Sequence, residues 1–126
     1  MHALSFEQSP PLSVPLRFFL TAPLFGVAAG LLLAWGHAEI FASRWTPAAL
    51  AAVHLTTVGF MLQIMVGALF QFMPVAVGAN LPWPRTAARL IHPALSVGGI
   101  ALAAGFLTGL PLALETGALA VGLGSL

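Results

Sequence analysis

Apolar residues dominate four runs of the chain, and short segments rich in proline, arginine or other polar residues separate them. The runs cover residues 17–36, 48–79, 90–109 and 112–126. A membrane-spanning helix needs about 20 consecutive apolar residues, and the first three runs reach that length. The pattern therefore predicts an all-α integral membrane protein, folded as a four-helix bundle with up-down topology.

The second and fourth runs depart from the usual length of a membrane span. The second is long enough that its helix must tilt or project beyond the hydrocarbon. The fourth, with about 15 residues, is too short for a full span. It is either half a helix or part of one that continues beyond Leu126, and we expect the second, because no interfacial residue follows it.

Arginine positions predict the orientation, since the chain has four arginines and no lysines. In an up-down topology Arg17, Arg85 and Arg89 lie on one side of the membrane, and Arg44 lies on the other. Cytoplasmic segments carry the excess of positive residues. We therefore expect a multi-pass protein of a bacterial-type inner (cytoplasmic) membrane. Its N-terminus, a polar leader over residues 1–16, is predicted to be cytoplasmic.

The composition agrees with a lipid bilayer as the main environment. Hydrophobic residues make up 60% of the chain, charged residues 6%, and the mean hydropathy is +1.02. A soluble domain carries about a quarter charged residues. The absence of cysteine excludes disulfides, iron–sulfur clusters and thiol nucleophiles. A net charge of +1 provides no basic patch for nucleic acid.

His54 is the main candidate for chemistry, because it lies about two turns into the second run. An ionisable side chain inside a membrane is costly and usually serves a function. We predict that His54 binds haem iron, with Met61 and Met65 as candidate cofactor contacts on the same face. The alternative for His54 is an interior histidine that donates to a carbonyl and stabilises helix contacts, and the alternative for the two methionines is filling of the core. The residues that share its face on a helical wheel are Val58, Met61, Met65, Ala68 and Phe72.

A second face of this run favours close helix packing, because it carries small or hydrogen-bonding residues. Similar small-residue spacings occur in the first and third runs, at Gly26-x-x-x-Gly30 and Gly105-x-x-x-Gly109. Such faces also suit a homo-oligomer. The residues of the second face are Thr56, Gly59, Gln63 and Gly67.

Three further ionisable residues are candidates for the site. His92, near the inner face, is a second candidate ligand of haem iron, and His37, just beyond the first run, is a weaker one. Glu115 is the only acid inside an apolar run and is a candidate proton acceptor. Each of the three also has an interfacial interpretation that involves no cofactor. His54 and His92 are predicted at opposite depths, so they would not bind one haem within a single subunit.

A family resemblance lies in residues 54–82, which read HLTTVGFMLQIMVGALFQFMPVAVGANLP. This stretch resembles the second transmembrane helix of haem–copper oxidase subunit I, where a histidine of the outer half binds the low-spin haem. It is also similar to membrane haem proteins associated with nitric oxide metabolism. Their first helix has a counterpart in PLRFFLTAPLFG, residues 15–26. The resemblance covers roughly residues 15–109 and implies His54 as an axial ligand of haem b.

The chain lacks the later helices from which those oxidases supply their remaining haem and copper ligands. A dioxygen-reducing centre is therefore not expected, and any enzymatic activity would be at most that of a quinol-linked oxidoreductase. The leading hypothesis is an electron-transfer protein with one or two haem b groups. Its partners would be quinone or quinol, or a redox partner protein. The alternatives are a haem or copper sensor or assembly partner, and a non-haem structural subunit of a larger membrane complex.

Overall fold

The computed structural model describes residues 6–36 and 38–126, and every regular element in these residues is helical. Single 3₁₀ turns occur at Phe6–Gln8 and Ala38–Phe41. The all-α class and the predicted number of helices are confirmed for the described part of the chain. The four helices are α1, Ser13–Trp35; α2, Pro47–Val77; α3, Pro84–Thr108; and α4, Pro111–Ser125.

Two helices begin earlier than predicted, and each has a proline in its first turn. We expected α3 to begin at residue 90 after a loop over residues 80–89, but Pro84 begins it. Proline suits the first helical position, where its missing N–H would have no partner in any case. Likewise α1 begins at Ser13 instead of residue 17 and includes Pro15 in its first turn.

Helix α2 changes its winding along its length. It is α-helical over Pro47–His54 and Gln63–Phe72 and π-helical over Leu55–Leu62 and Met73–Val77. On an α-helix, a residue four positions further along lies about 40° further around the helix axis. The wider π turns offset this drift, so the buried stripe keeps facing α1 and α3. The stripe consists of Ala51, Leu55, Gly59, Gln63 and Gly67.

Consecutive helices pack against each other and run in opposite directions, because their contact pairs run in opposite order along the two sequences. Helix α4 packs mainly against α3 and scarcely touches α1 or α2. The pairs are Phe18–Gly67 and Phe25–Gly59 between α1 and α2, His54–Phe106 and Gln63–Ser96 between α2 and α3, and Gly98–Val121 and Gly105–Leu114 between α3 and α4.

The buried core forms two clusters at different heights along the helices. Phe18, Phe70 and Leu95 lie in the cluster nearer the start of α1, and Phe25 and Leu55 lie in the other. Most of the remaining large apolar side chains point outward. Helices α1, α2 and α3 are long and apolar enough to cross a membrane. A water-soluble monomer rarely exposes so large an apolar surface.

Candidate functional site

His54, the residue predicted to bind haem iron, forms a hydrogen bond within its own helix. His54 is the last residue of the first α-helical segment of α2, immediately before the π-helical segment. Its Nδ1 lies 2.8 Å from the carbonyl oxygen of Leu50, one turn earlier. A carbonyl oxygen only accepts, so Nδ1 carries the ring proton and donates it. In the neutral imidazole Nε2 is then the unprotonated nitrogen, which is the one that binds a metal ion.

The ring of His54 is half-buried between α2 and α3. Its centroid lies 4.7 Å from that of Phe106, with a tilt of 35° between the two rings. Within residues 6–36 and 38–126, the only hydrogen bond of the imidazole is the one to Leu50. A histidine that only stabilises helix contacts was also expected to donate to a carbonyl oxygen. The bond from His54 to Leu50, however, stays within one helix. The contact that joins two helices is the apolar one with Phe106.

The face of α2 predicted to contact a cofactor points away from the other helices at the positions that follow His54. Met61 is 51% exposed and Met65 is 57% exposed, so neither lines an internal cavity. Phe72, on the same predicted face, is 61% exposed. A flat cofactor in contact with these methionines would therefore lie on the outer surface of the subunit. There it could be covered by lipid or by a second copy.

His92 is engaged in a hydrogen bond between helices. Its Nε2 lies 2.8 Å from Thr21 Oγ1 on α1, and that hydroxyl also lies 2.8 Å from the carbonyl oxygen of Arg17. The hydroxyl has one proton, which it donates to the Arg17 carbonyl, so the His92 Nε2–H donates to Thr21. The Phe18 ring meets the imidazole edge-on, with centroids 5.3 Å apart. His92 thereby joins α1 to α3.

His54 and His92 lie far apart. His54 packs on Phe106, and His92 lies about four turns earlier on α3, which corresponds to about 21 Å along the helix axis. One iron cannot bind both side chains of a single subunit at that separation.

A partly buried polar chain continues from His92 to α2, and no motif in the sequence indicated it. Ser96 Oγ donates to the His92 carbonyl oxygen at 2.8 Å, and Gln63 Nε2 donates to Ser96 Oγ at 3.1 Å. Gln63 is fully buried, and its Oε1 has no hydrogen-bond partner within the described residues. An orphaned buried acceptor usually binds ordered water or a ligand. Gln63 was predicted on a helix-packing face, but its partner could not be identified from spacing.

The remaining candidates do not gather around His54 in the described residues. Glu115 is exposed on α4, and α4 scarcely touches α2. His37 lies outside the described residues. Among the residues that are described, no three His, Asp or Glu side chains form a group that could hold a metal ion. His54 is thus the one predicted ligand whose described geometry leaves its Nε2 available.

Comparisons with protein-family models, with curated proteins and with solved structures find no match to this chain.

Proposed function

We propose that this chain is a membrane-integral b-type haem protein that transfers electrons, with His54 as an axial ligand through Nε2. The hydrogen bond from His54 Nδ1 to the Leu50 carbonyl carries the proposal. Histidine ligands of metals usually donate their other N–H to such an acceptor, which fixes the ring and raises its basicity. The bond joins two residues of one helix, as do the bonds from the Thr56 and Thr57 hydroxyls to carbonyl oxygens four residues earlier. In His54 the same bond leaves the second ring nitrogen, Nε2, without a partner among the described residues.

Insertion of α1, α2 and α3 into a bilayer is part of the proposal. These helices have the required length and hydropathy. Tryptophans lie at both ends of the helices, with Trp35 and Trp45 at one end and Trp83 at the other, and all three are at least 68% exposed. Tryptophan is enriched at the two membrane–water interfaces. The arginine distribution places the N-terminus in the cytoplasm in this proposal.

The residues present fit one axial ligand of a haem. His54 would hold the iron from one side, while the Leu50 carbonyl orients the imidazole and Phe106 packs on it. When bound, haem supplies reversible one-electron chemistry, with a potential tuned by its ligands and burial. An opposing ligand would come from His37 or from a second copy of the chain. In the latter case the protein would be a homo-oligomer, with the outward face of Met61 and Met65 against the second copy.

Haem is favoured over copper by the number of ligands it requires. A porphyrin supplies four nitrogens and needs only one or two protein ligands. A blue-copper site needs a cluster of about three strong ligands, and the described residues form no such group. We assign quinol or a redox partner protein as the electron donor. We assign no proton transfer to Glu115, because it is exposed on the helix that scarcely touches α2.

The test is the absorption spectrum of the full chain purified after expression with ample haem. We expect a Soret band in the wild type and its loss in His54→Ala. The matched control is His92→Ala, which removes a hydrogen-bonded histidine and should retain the band. A quinol analogue should reduce the haem if the protein carries electrons. Bound haem without such reduction would support the sensor alternative. A colourless wild type would overturn the haem proposal and support a structural subunit.

A further inference from the structure

A groove of about 440 Å³ lies between α1, the turn Ala38–Phe41 and the first turns of α2. It is at the end of the helices that carries Arg44, away from Arg17, Arg85 and Arg89. Its volume lies within the range of ordinary small-molecule sites, about 300–1,000 Å³. No step of the electron-transfer proposal uses it.

The walls of this groove are apolar. Leu33 of α1 and Phe41 of the turn form one side, and Ala52, Val53 and Thr56 of α2 form the other. The α2 positions fall at helical spacings that place them on one face. Thr56 Oγ1 donates to the carbonyl oxygen of Ala52 at 2.9 Å, so its hydroxyl proton is not available to a ligand. The interior of the groove therefore suits a hydrocarbon chain.

The rim of the groove is polar and cationic. Ser43 and Arg44 line it there, and the Arg44 guanidinium lies 5.2 Å from the centroid of the Trp45 ring. Stacking on an aromatic ring suits the planar guanidinium and leaves its edge N–H groups free for an anion. Glu39 belongs to the same turn as Phe41 but lines a separate cavity.

Arg44 is the only basic side chain other than histidine at this end of the chain's helices, since the other three arginines lie at the opposite end. An apolar slot with one arginine at its mouth is complementary to an amphiphile with an anionic head. Arginine matches the geometry of phosphate oxygens with paired N–H donors. The charge and donor geometry of Arg44 at the mouth of an apolar slot therefore favour a phosphate head group.

We propose that this groove binds an anionic phospholipid of the bilayer, with one acyl chain between α1 and α2 and the phosphate at Arg44. The proposal rests on membrane insertion but not on haem, so it survives if His54 binds no iron. A quinone is the less favoured occupant, because its neutral head makes poorer use of the guanidinium and the groove face of α2 does not include His54.

The test uses the full chain in nanodiscs of phosphatidylcholine with or without phosphatidylglycerol. Native mass spectrometry after release counts the lipids retained per chain. We expect one retained phosphatidylglycerol. Arg44→Gln should weaken its binding about fivefold, in line with the contribution of one basic residue near an anionic surface. Arg85→Gln, an exposed arginine at the other end, is the matched control and should retain the lipid.

A second variant, Val53→Trp, adds bulk to the half-exposed wall of the groove without removing charge. We expect it to lower lipid retention as Arg44→Gln does, because the acyl chain loses its space. Equal weakening by Arg44→Gln and Arg85→Gln would overturn the site, since it would show unspecific charge attraction. Equal retention of phosphatidylcholine, or a retained quinone in place of the phospholipid, would overturn it as well. Helical circular dichroism of each variant confirms that its fold is intact.

Discussion

Adding one methyl group at Gly117 tests how closely α4 packs against α3. Gly117 is buried, and a Cβ there would lie 2.8 Å from the backbone nitrogen of Leu102 and 2.8 Å from its Cγ. It would also lie 3.1 Å from the carbonyl oxygen of Gly98. Two of these three neighbours are backbone atoms, which cannot rotate away. Gly117→Ala must therefore push the two helices apart.

The cost follows from these distances. Carbon atoms in ordinary contact sit about 3.5–4.0 Å apart, so the 2.8 Å contact requires the helices to separate by roughly 0.7–1.2 Å at this point. Overpacking of this kind costs about 1–3 kcal/mol. Alanine also gains about 0.5–1 kcal/mol over glycine inside a helix. Gly122→Ala is the matched control on the same helix, because nothing lies within 4 Å of a Cβ there.

Both variants share the gain in helix propensity, so the difference between them isolates the packing cost. Reversible unfolding in mixed detergent micelles, followed by circular dichroism, measures the free energy of unfolding of each. We expect Gly117→Ala to be less stable than Gly122→Ala by about 1–3 kcal/mol. If the two free energies agree within error, α4 does not pack on α3 through Gly117, and the described arrangement of these helices is wrong.

Two other predictions concern the hydrogen bonds that link α1, α2 and α3 through His92. Gln63→Leu should change the free energy of unfolding by less than about 1 kcal/mol, because loss of the bond to Ser96 is offset by removal of the buried, unpartnered Oε1. Gln63→Ala should cost about 2–5 kcal/mol through the cavity it leaves, and equal losses in the two variants would contradict the described burial. Thr21→Val should cost about 0.5–1.5 kcal/mol, since the His92 Nε2–H loses its acceptor. Thr57→Val, whose hydroxyl bonds only to its own helix, should cost less in the same unfolding assay.

The hydropathy pattern was sufficient to predict the helices, but not where some of them begin. The segment over residues 80–89 contains two prolines and two arginines, a composition typical of a loop. A proline at the first helical position is compatible with the helix that follows, so Pro84 begins α3 six residues early. Composition alone does not distinguish a proline that starts a helix from one that ends it.

The faces of α2 were predicted only in part, because a helical wheel assumes constant winding. Gly59, Gln63 and Gly67 do face the other helices, as expected for a packing face. Thr56, assigned to the same face, is exposed. The π-helical segment Leu55–Leu62 changes the angle per residue just where the wheel places these positions.

The local geometry of His54 could have been anticipated from sequence, since a histidine Nδ1 in a helix can reach the carbonyl four residues earlier. Its contact with Phe106 and the bond between His92 and Thr21 could not. Both depend on the relative register of two helices, which no spacing within either helix encodes.

Haem occupancy of His54→Ala with and without added imidazole tests the central proposal most directly. Free imidazole can replace the missing side chain as a ligand while the rest of the subunit stays unchanged. We expect the haem-to-chain ratio to fall in His54→Ala and to recover when imidazole is present during haem loading. An unchanged ratio in His54→Ala, with no response to imidazole, would contradict the assignment of His54 as the iron ligand.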